Sequence, residues 1–315
     1  TIPSSLPRAT CPTRLRAALV LERMTSRPAS IARGYCVPLP AMTGSDGTPK
    51  THSHLGEGRV VRVDAKVVHV DVGGDAPILA ALRGSLFEDL QGRKNPVAVG
   101  DLVLGGWLFL ADTAGDPAAL EEVRPRRNYL GRVASSHDPR EQVLVANVDQ
   151  LFVIGSLRSP GFSSNRTDRI LAACFWHDIP AVLVFNKADL DKKGRFLERY
   201  LETYRHVPGL EVLVTSAKTG EGIEEMSAML KDRVSVFYGP SGAGKSTLLN
   251  RIQPGLNIKE GRISEYWKQG KHTTTYSRLH PLEMGGWVID TPGMREYRLP
   301  VLRRTEGADL FPHAA

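Results

Sequence analysis

The chain has 315 residues, 41% of them apolar and 24% charged, enough to bury two or three cores of ordinary domain size. No uninterrupted apolar run reaches the roughly 18 residues of a membrane span, and Cys11, Cys36 and Cys174 are scattered and form no Cys-x-x-Cys pair, so neither a disulfide framework nor a zinc knuckle is visible. Forty-one Lys and Arg against 34 Asp and Glu give a formal charge of +7, which suits a polyanionic partner without naming one.

Residues 1–54 carry Arg8, Arg14, Arg16, Arg23, Arg27 and Arg33 against only Glu22 and Asp46, with scattered Pro and Ser and no sustained periodicity. Such a stretch is expected to be a disordered basic tail or a targeting segment. Organellar import follows if it is a transit peptide; otherwise the chain is expected in the cytoplasm. From residue 55 to 130 the pattern becomes β-rich. Residues 58–72 alternate partly and are dense in valine, and 78–87, 97–110 and 118–123 are further short candidates between Gly, Asp and Pro breaks. A small all-β barrel closes the edges of such strands.

Across residues 140–312 strands and helices alternate. Strands are expected at 149–156, 181–185, 211–214 and 234–238, with amphipathic helices at 166–176, 195–205 and 222–231. This is the rhythm of a parallel sheet wrapped by helices, in which ligands bind in loops at the carboxyl ends of strands.

One such loop follows residues 234–238: Gly239, Pro240, Ser241, Gly242, Ala243, Gly244, Lys245, Ser246 and Thr247 form a Walker A pattern that runs into an apolar-faced helix. Its glycines let successive N–H groups converge on phosphate oxygens at a positive helix end. Lys245 is expected to reach the β- and γ-phosphates, and the Ser246 hydroxyl to enter a Mg²⁺ shell.

Asn186, Lys187, Ala188 and Asp189 follow the strand at 181–185. A carboxylate at Asp189 can accept from guanine N1–H and N2–H₂, whereas adenine presents an acceptor at N1 and would leave the charge unpaired. Thr215, Ser216, Ala217 and Lys218 follow the next strand, where the Ala217 N–H suits guanine O6. Farther on, Asp290-Thr-Pro-Gly293 closes another apolar run, with Asp290 a water-mediated Mg²⁺ ligand and the Gly293 N–H a γ-phosphate contact. Between these lies Gly270-Lys-His-Thr-Thr-Thr275, a switch-like segment in which Thr274 is the expected metal ligand. Thr273 and Thr275 remain alternatives by spacing. Together these motifs predict an α/β P-loop GTPase domain in circularly permuted order, because the guanine loops precede the phosphate loop.

These motifs and their order resemble the circularly permuted GTPases of the RsgA or YjeQ family, which assist late maturation of the small (30S) ribosomal subunit. The resemblance runs from about Gly56 to Pro312. It implies that the β-rich segment is an OB-fold that binds ribosomal RNA, that GTP is the substrate and Mg²⁺ the cofactor, and that the small subunit and its rRNA are the partners. Arg124, Arg126, Arg127 and Arg132 are candidate phosphate contacts. Met294 stands where many GTPases place a water-orienting glutamine, so His272 is the candidate catalytic residue. No cysteine follows Cys174, so the family's C-terminal zinc subdomain has no counterpart in this sequence and zinc is not predicted. A monomer without membrane association is expected. Two alternatives stand beside this reading: an ATPase or phosphotransferase sharing only the Walker A loop, and an RNA-binding module that keeps GTP as a structural or regulatory ligand with little turnover.

Overall fold

The computed structural model describes residues 56–64, 67–88, 90, 92–106, 118–135, 138–256 and 277–290. The expected tail at 1–54 lies outside them. Strands β1 (Gly56–Asp64), β2 (Val67–Asp71), β3 (Ile78–Leu82), β4 (Leu102–Gly105) and β5 (Ala118–Val123) are ordered β1-β2-β3-β5-β4, and β4 pairs back onto β1. The result is a closed five-stranded barrel in which only β3 and β5 run parallel. Valines of the alternating runs supply its interior: Val60, Val68, Val70 and Val103 are fully buried with Ala80 and Leu120.

Two expected strands begin or end differently, and residues 107–110 of the second lie outside the described residues. Residues 78–87 leave the sheet after Leu82 and turn into a 3-10 helix over Gly84–Phe87, with Phe87 exposed. Residues 97–101 make a turn instead of a strand, because the Asp101 carboxylate accepts the Ala98 N–H at 2.8 Å and Gly100 takes φ +92°.

Strands β6 (Tyr129–Ser135) and β7 (Asp138–Ala146) form a separate antiparallel hairpin. No strand is expected there from the sequence, because the arginines and acids of residues 131–142 obscure the buried alternation of Val143 and Val145.

The remaining elements are β8 (Gln150–Ser156), α1 (Ser164–Trp176), β9 (Ala181–Asn186), α2 (Arg195–Tyr204), β10 (Glu211–Val214), α3 (Ile223–Leu230), β11 (Val234–Tyr238), α4 (Lys245–Ile252), β12 (Arg278–Pro281) and β13 (Trp287–Asp290). The sheet order is β10-β9-β8-β11-β13-β12, parallel throughout except for β12. Every residue of β8 and β11 is buried, as expected of central strands covered on both faces. Alternate residues feed two cores: Leu151, Val153, Val236 and Tyr238 pack with Ile170 of α1 and Tyr204 of α2, while Phe152, Ile154 and Phe237 pack with Met226 of α3 and Leu248 of α4. Cys174 sits in the first core, where burial pushes its thiol up to about 12, so it holds no thiolate at neutral pH.

Edge strand β12 meets β1 at Arg62 and Arg278, so barrel and α/β domain share one eleven-stranded sheet. A bulge between Val60 and Arg62 lets Val61 leave the barrel interior and join the α/β core together with Val99, Leu130 and Val145.

Candidate nucleotide-binding site

The phosphate-loop sequence spans the end of β11 and the start of α4. Tyr238 is the last strand residue and Lys245 the first helical one. Two glycines are required here by geometry. A Cβ at Gly239 would lie 2.3 Å from the Ile154 carbonyl oxygen, and one at Gly244, where φ is +95°, would lie 2.3 Å from Asn186 Nδ2. Ala243 is buried, Ser241, Gly242 and Thr247 are exposed, and Pro240 and Ser246 are intermediate. The Lys245 side chain is buried, and its Nζ donates to the carbonyls of Gly239 at 2.8 Å and Pro240 at 3.2 Å. The ammonium is thus held inside the loop beneath the N–H groups that open α4.

Asn186 ends β9 and is 1% exposed. Its Nδ2 donates to the Ala243 carbonyl at 2.8 Å, and its Oδ1 accepts from Thr215 Oγ1 at 3.2 Å. One amide therefore joins the loops after β9, β10 and β11. Lys187 takes φ +62° and donates to the Ser159 carbonyl. Asp189 Oδ1 accepts from Ser216 Oγ at 2.7 Å, which fixes the carboxylate while leaving its other oxygen to accept elsewhere. Ser216 is fully buried, Ala217 partly so, and Lys218 exposed. The turn behind this loop is secured by Asp191, whose Oδ2 accepts the N–H groups of Phe196 and Leu197, both at 2.9 Å, as α2 begins.

The structure brings Asn186, Lys187, Asp189, Ser216, Ala217 and the 239–247 loop to the carboxyl ends of β9, β10 and β11. Asp290 ends β13 opposite Phe237 of β11, so its backbone lies on the same edge. His272, Thr274 and Gly293 fall outside the described residues. The fully buried Thr215 hydroxyl, a member of the 215–218 motif, braces Asn186, and the Ser159 carbonyl that holds Lys187 has no sequence signature.

The four arginines expected to meet RNA phosphates divide. Arg126 is internal: its side chain is 8% exposed and forks onto the fully buried Asp101 at 2.7 and 2.8 Å, so it is a structural cation and the expectation for it is corrected. Arg127 pairs with Asp149 at 2.8 Å and donates to the Val148 carbonyl, tying the hairpin to β8. Arg124 pairs with Glu57 on the barrel wall, and Arg132 is partly buried, with desolvation lowering its pKa.

Among the described residues, no helix is long and apolar enough to cross a membrane, and no group of three or more His, Cys, Asp or Glu is placed to hold a metal. Serine, threonine and a lone aspartate suit Mg²⁺ instead, an ion that keeps several waters and takes few protein ligands. Ser246 in the first turn of α4 and the strand end at Asp290 fit that donor set.

A phosphate loop between guanine-type loops and a following strand that ends at Asp290, on a sheet joined to a five-stranded barrel, defines the class: a circularly permuted P-loop GTPase fold behind an OB-type barrel. A model of the RsgA GTPase family matches residues 123–300. The chain is 44% identical over 193 residues to the "Small ribosomal subunit biogenesis GTPase RsgA" of Moorella thermoacetica, covering 61% of this chain and 62% of that protein. It is 36% identical over 220 residues to RsgA 2 of Bacteroides thetaiotaomicron, covering 69% of each. Among solved structures, YjeQ from Thermotoga maritima matches with a TM-score of 0.62 at 31% identity over 83% of each chain. YloQ, described as a circularly permuted GTPase, matches with a TM-score of 0.55 at 26% identity, over 84% of this chain and 81% of that one. The chain belongs to the RsgA GTPase family.

Proposed function

We propose that this chain is a Mg²⁺-dependent GTP hydrolase acting as an assembly factor in late maturation of the small ribosomal subunit, working in the cytoplasm as a monomer and gripping rRNA in part through its OB barrel. The observation that carries this reading is the bonded unit of three loops, with Asn186 between the Ala243 carbonyl and Thr215 and with Asp189 held by Ser216. A nucleotide spanning that unit meets a guanine-selecting carboxylate at one end and a phosphate cradle at the other. Relatives that carry the small-subunit biogenesis name support the partner.

In this mechanism Asp189 accepts from guanine N1–H and N2–H₂, the Ala217 N–H donates to O6, and Lys187 and Lys218 flank the base. The N–H groups of residues 239–247 and the Lys245 ammonium hold the phosphates, with Lys245 leaving the carbonyls of Gly239 and Pro240 to do so. Ser246, Thr274 and Asp290 would hold Mg²⁺, which when bound neutralises charge on the β- and γ-oxygens. The Gly293 N–H meets the γ-phosphate, and His272 accepts a hydrogen bond from the attacking water.

The test is steady-state phosphate release from GTP and from ATP, with and without purified small ribosomal subunits. GTP-only turnover that rises with subunits supports the reading. GTP binding with no turnover under either condition would replace it with an RNA-binding module that keeps GTP as a ligand, and equal turnover of ATP would refute guanine selection.

A further inference from the structure

Beside the guanine loop, the turn into α2 and the loop after β8 present a run of exposed cations. Arg158, Lys192, Lys193 and Arg199 are all exposed, and none forms an ion pair with another described residue. The acids of this stretch, Asp189, Asp191, Glu198 and Glu202, are fewer than its cations, which also include Lys187 and Arg195. Asp189 is bonded to Ser216 in the guanine loop, and buried Asp191 accepts the two N–H groups that open α2. Glu198 reaches back to Gly194 and Glu202 stands three residues after Arg199, so both acids lie beside the cations of α2, though on the side of the helix away from Phe196. The opposite side of α2 goes inward, with Leu197, Tyr200, Leu201 and Tyr204 packed in the core.

Phe196 is 42% exposed, with the Arg158 guanidinium 4.6 Å from its ring centroid. An exposed apolar ring beside a net-cationic stretch and partly covered by a guanidinium supplies the two things an unpaired nucleic-acid strand requires: stacking for bases and neutralisation for phosphates. An acidic protein surface would satisfy the lysines but would leave the ring without a flat apolar partner.

We infer that Arg158, Lys192, Lys193, Phe196 and Arg199 form a contact surface for single-stranded RNA on the α/β domain, separate from the barrel and on the rim of the guanine loop. This rests on the reading that the chain works on an RNA-containing particle, and it adds a second place where that RNA is held. Because Asp189 and Lys192 are only three residues apart, RNA docked here lies beside the route by which the base enters and leaves.

The experiment uses the full chain loaded with GDP and a single-stranded oligoribonucleotide carrying 4-thiouridine. Affinity is measured across a salt series for the parent chain and for a Lys192→Glu, Lys193→Glu, Arg199→Glu triple variant. Crosslinked peptides are mapped for the parent and for Phe196→Ala. Removing three phosphate contacts should weaken binding about tenfold or more and make the salt slope shallower by about 2, at roughly 0.7 per contact. GDP affinity and the thermal midpoint should hold, and the crosslink at residues 195–199 should vanish in Phe196→Ala. Unchanged affinity and slope, with crosslinks only on the barrel, would overturn the inference and leave the ribosomal reading standing. Failure of the parent chain to bind the RNA at all would also overturn it; subunit-stimulated GTP turnover then decides the ribosomal reading separately. Loss of binding to anionic vesicles, but not to RNA, in the triple variant would reassign the surface to a membrane.

Discussion

In the proposed reading, nucleotide choice rests largely on one charge, that of Asp189. Its carboxylate is positioned by Ser216 Oγ at 2.7 Å, so substitution to asparagine keeps the shape but puts a donor where two donors already point. Loss of charge-assisted hydrogen bonds of about 1.5–3 kcal/mol should raise the GDP dissociation constant roughly ten- to hundredfold without creating ATP affinity. Calorimetric titration of Asp189→Asn with both nucleotides checks this, and undiminished GDP affinity would remove Asp189 from the base-reading role. His177 illustrates a residue-scale effect unrelated to the nucleotide. It packs against the Tyr129 ring at 4.6 Å, its Nε2 lacks a hydrogen-bond partner, and burial lowers its pKa to about 4. Glu141 at 3.9 Å therefore faces a neutral imidazole at pH 7 rather than an ion. The unfolded histidine binds a proton near pH 6.5, so stability is full above that pH and is lost as pH falls from about 6.5 to about 4, by about 3 kcal/mol at the limit. Urea unfolding at pH 7 and pH 5 should show a loss that His177→Phe reduces, since phenylalanine keeps the ring contact and has no proton to take up.

Elements differ in how clearly the sequence announces them. β10 and β11 are expected at 211–214 and 234–238 and are found at Glu211–Val214 and Val234–Tyr238, because a fully buried parallel strand is a bare apolar run bounded by polar turns. The β6–β7 hairpin and β12 are not legible in this way. Their residues include Arg132, Glu141, Gln142, Arg278 and His280, and they become strands only because a partner strand takes up their backbone groups. The site divides similarly. Loops with fixed spacing, at 186–189 and 239–247, can be read directly, whereas the Thr215 and Ser159 contacts depend on how neighbouring strands align. Arg126 shows the opposite failure, since a cluster of arginines looks like a phosphate-binding stripe until Asp101 is found at 0% exposure beneath one of them. Removing one partner of a buried pair strands the other charge, so Arg126→Ala should destabilise the chain by about 3–5 kcal/mol. Chemical denaturation would register that loss, and a change below 1 kcal/mol would mean that water replaces the guanidinium at the barrel wall.

At the scale of the whole molecule, beside the contacts of the 94–100 loop with β7 and Asn147, the barrel and the α/β domain are joined by two features of β1. Its backbone pairs with β12 at Arg62 and Arg278, and its bulge sends Val61, 6% exposed, into the core shared with Leu151, Ile170 and Val236. β12 in turn pairs with β13, the strand that ends in the Asp290 motif beside the phosphate loop. A path of hydrogen-bonded strands therefore runs from the barrel wall to the edge of the nucleotide site without leaving the sheet. If that path carries energy, the two domains unfold together, and GDP raises the midpoint of the barrel as well as of the domain that binds it. Val61→Ala withdraws about two carbon groups from the shared core, worth about 1.5 kcal/mol before any cavity cost. Scanning calorimetry of the parent chain should show one transition that GDP moves upward. In Val61→Ala the barrel should separate as a lower transition that GDP moves less. Two transitions already present in the parent chain, with only one responding to GDP, would mean that the seam is a contact without coupling.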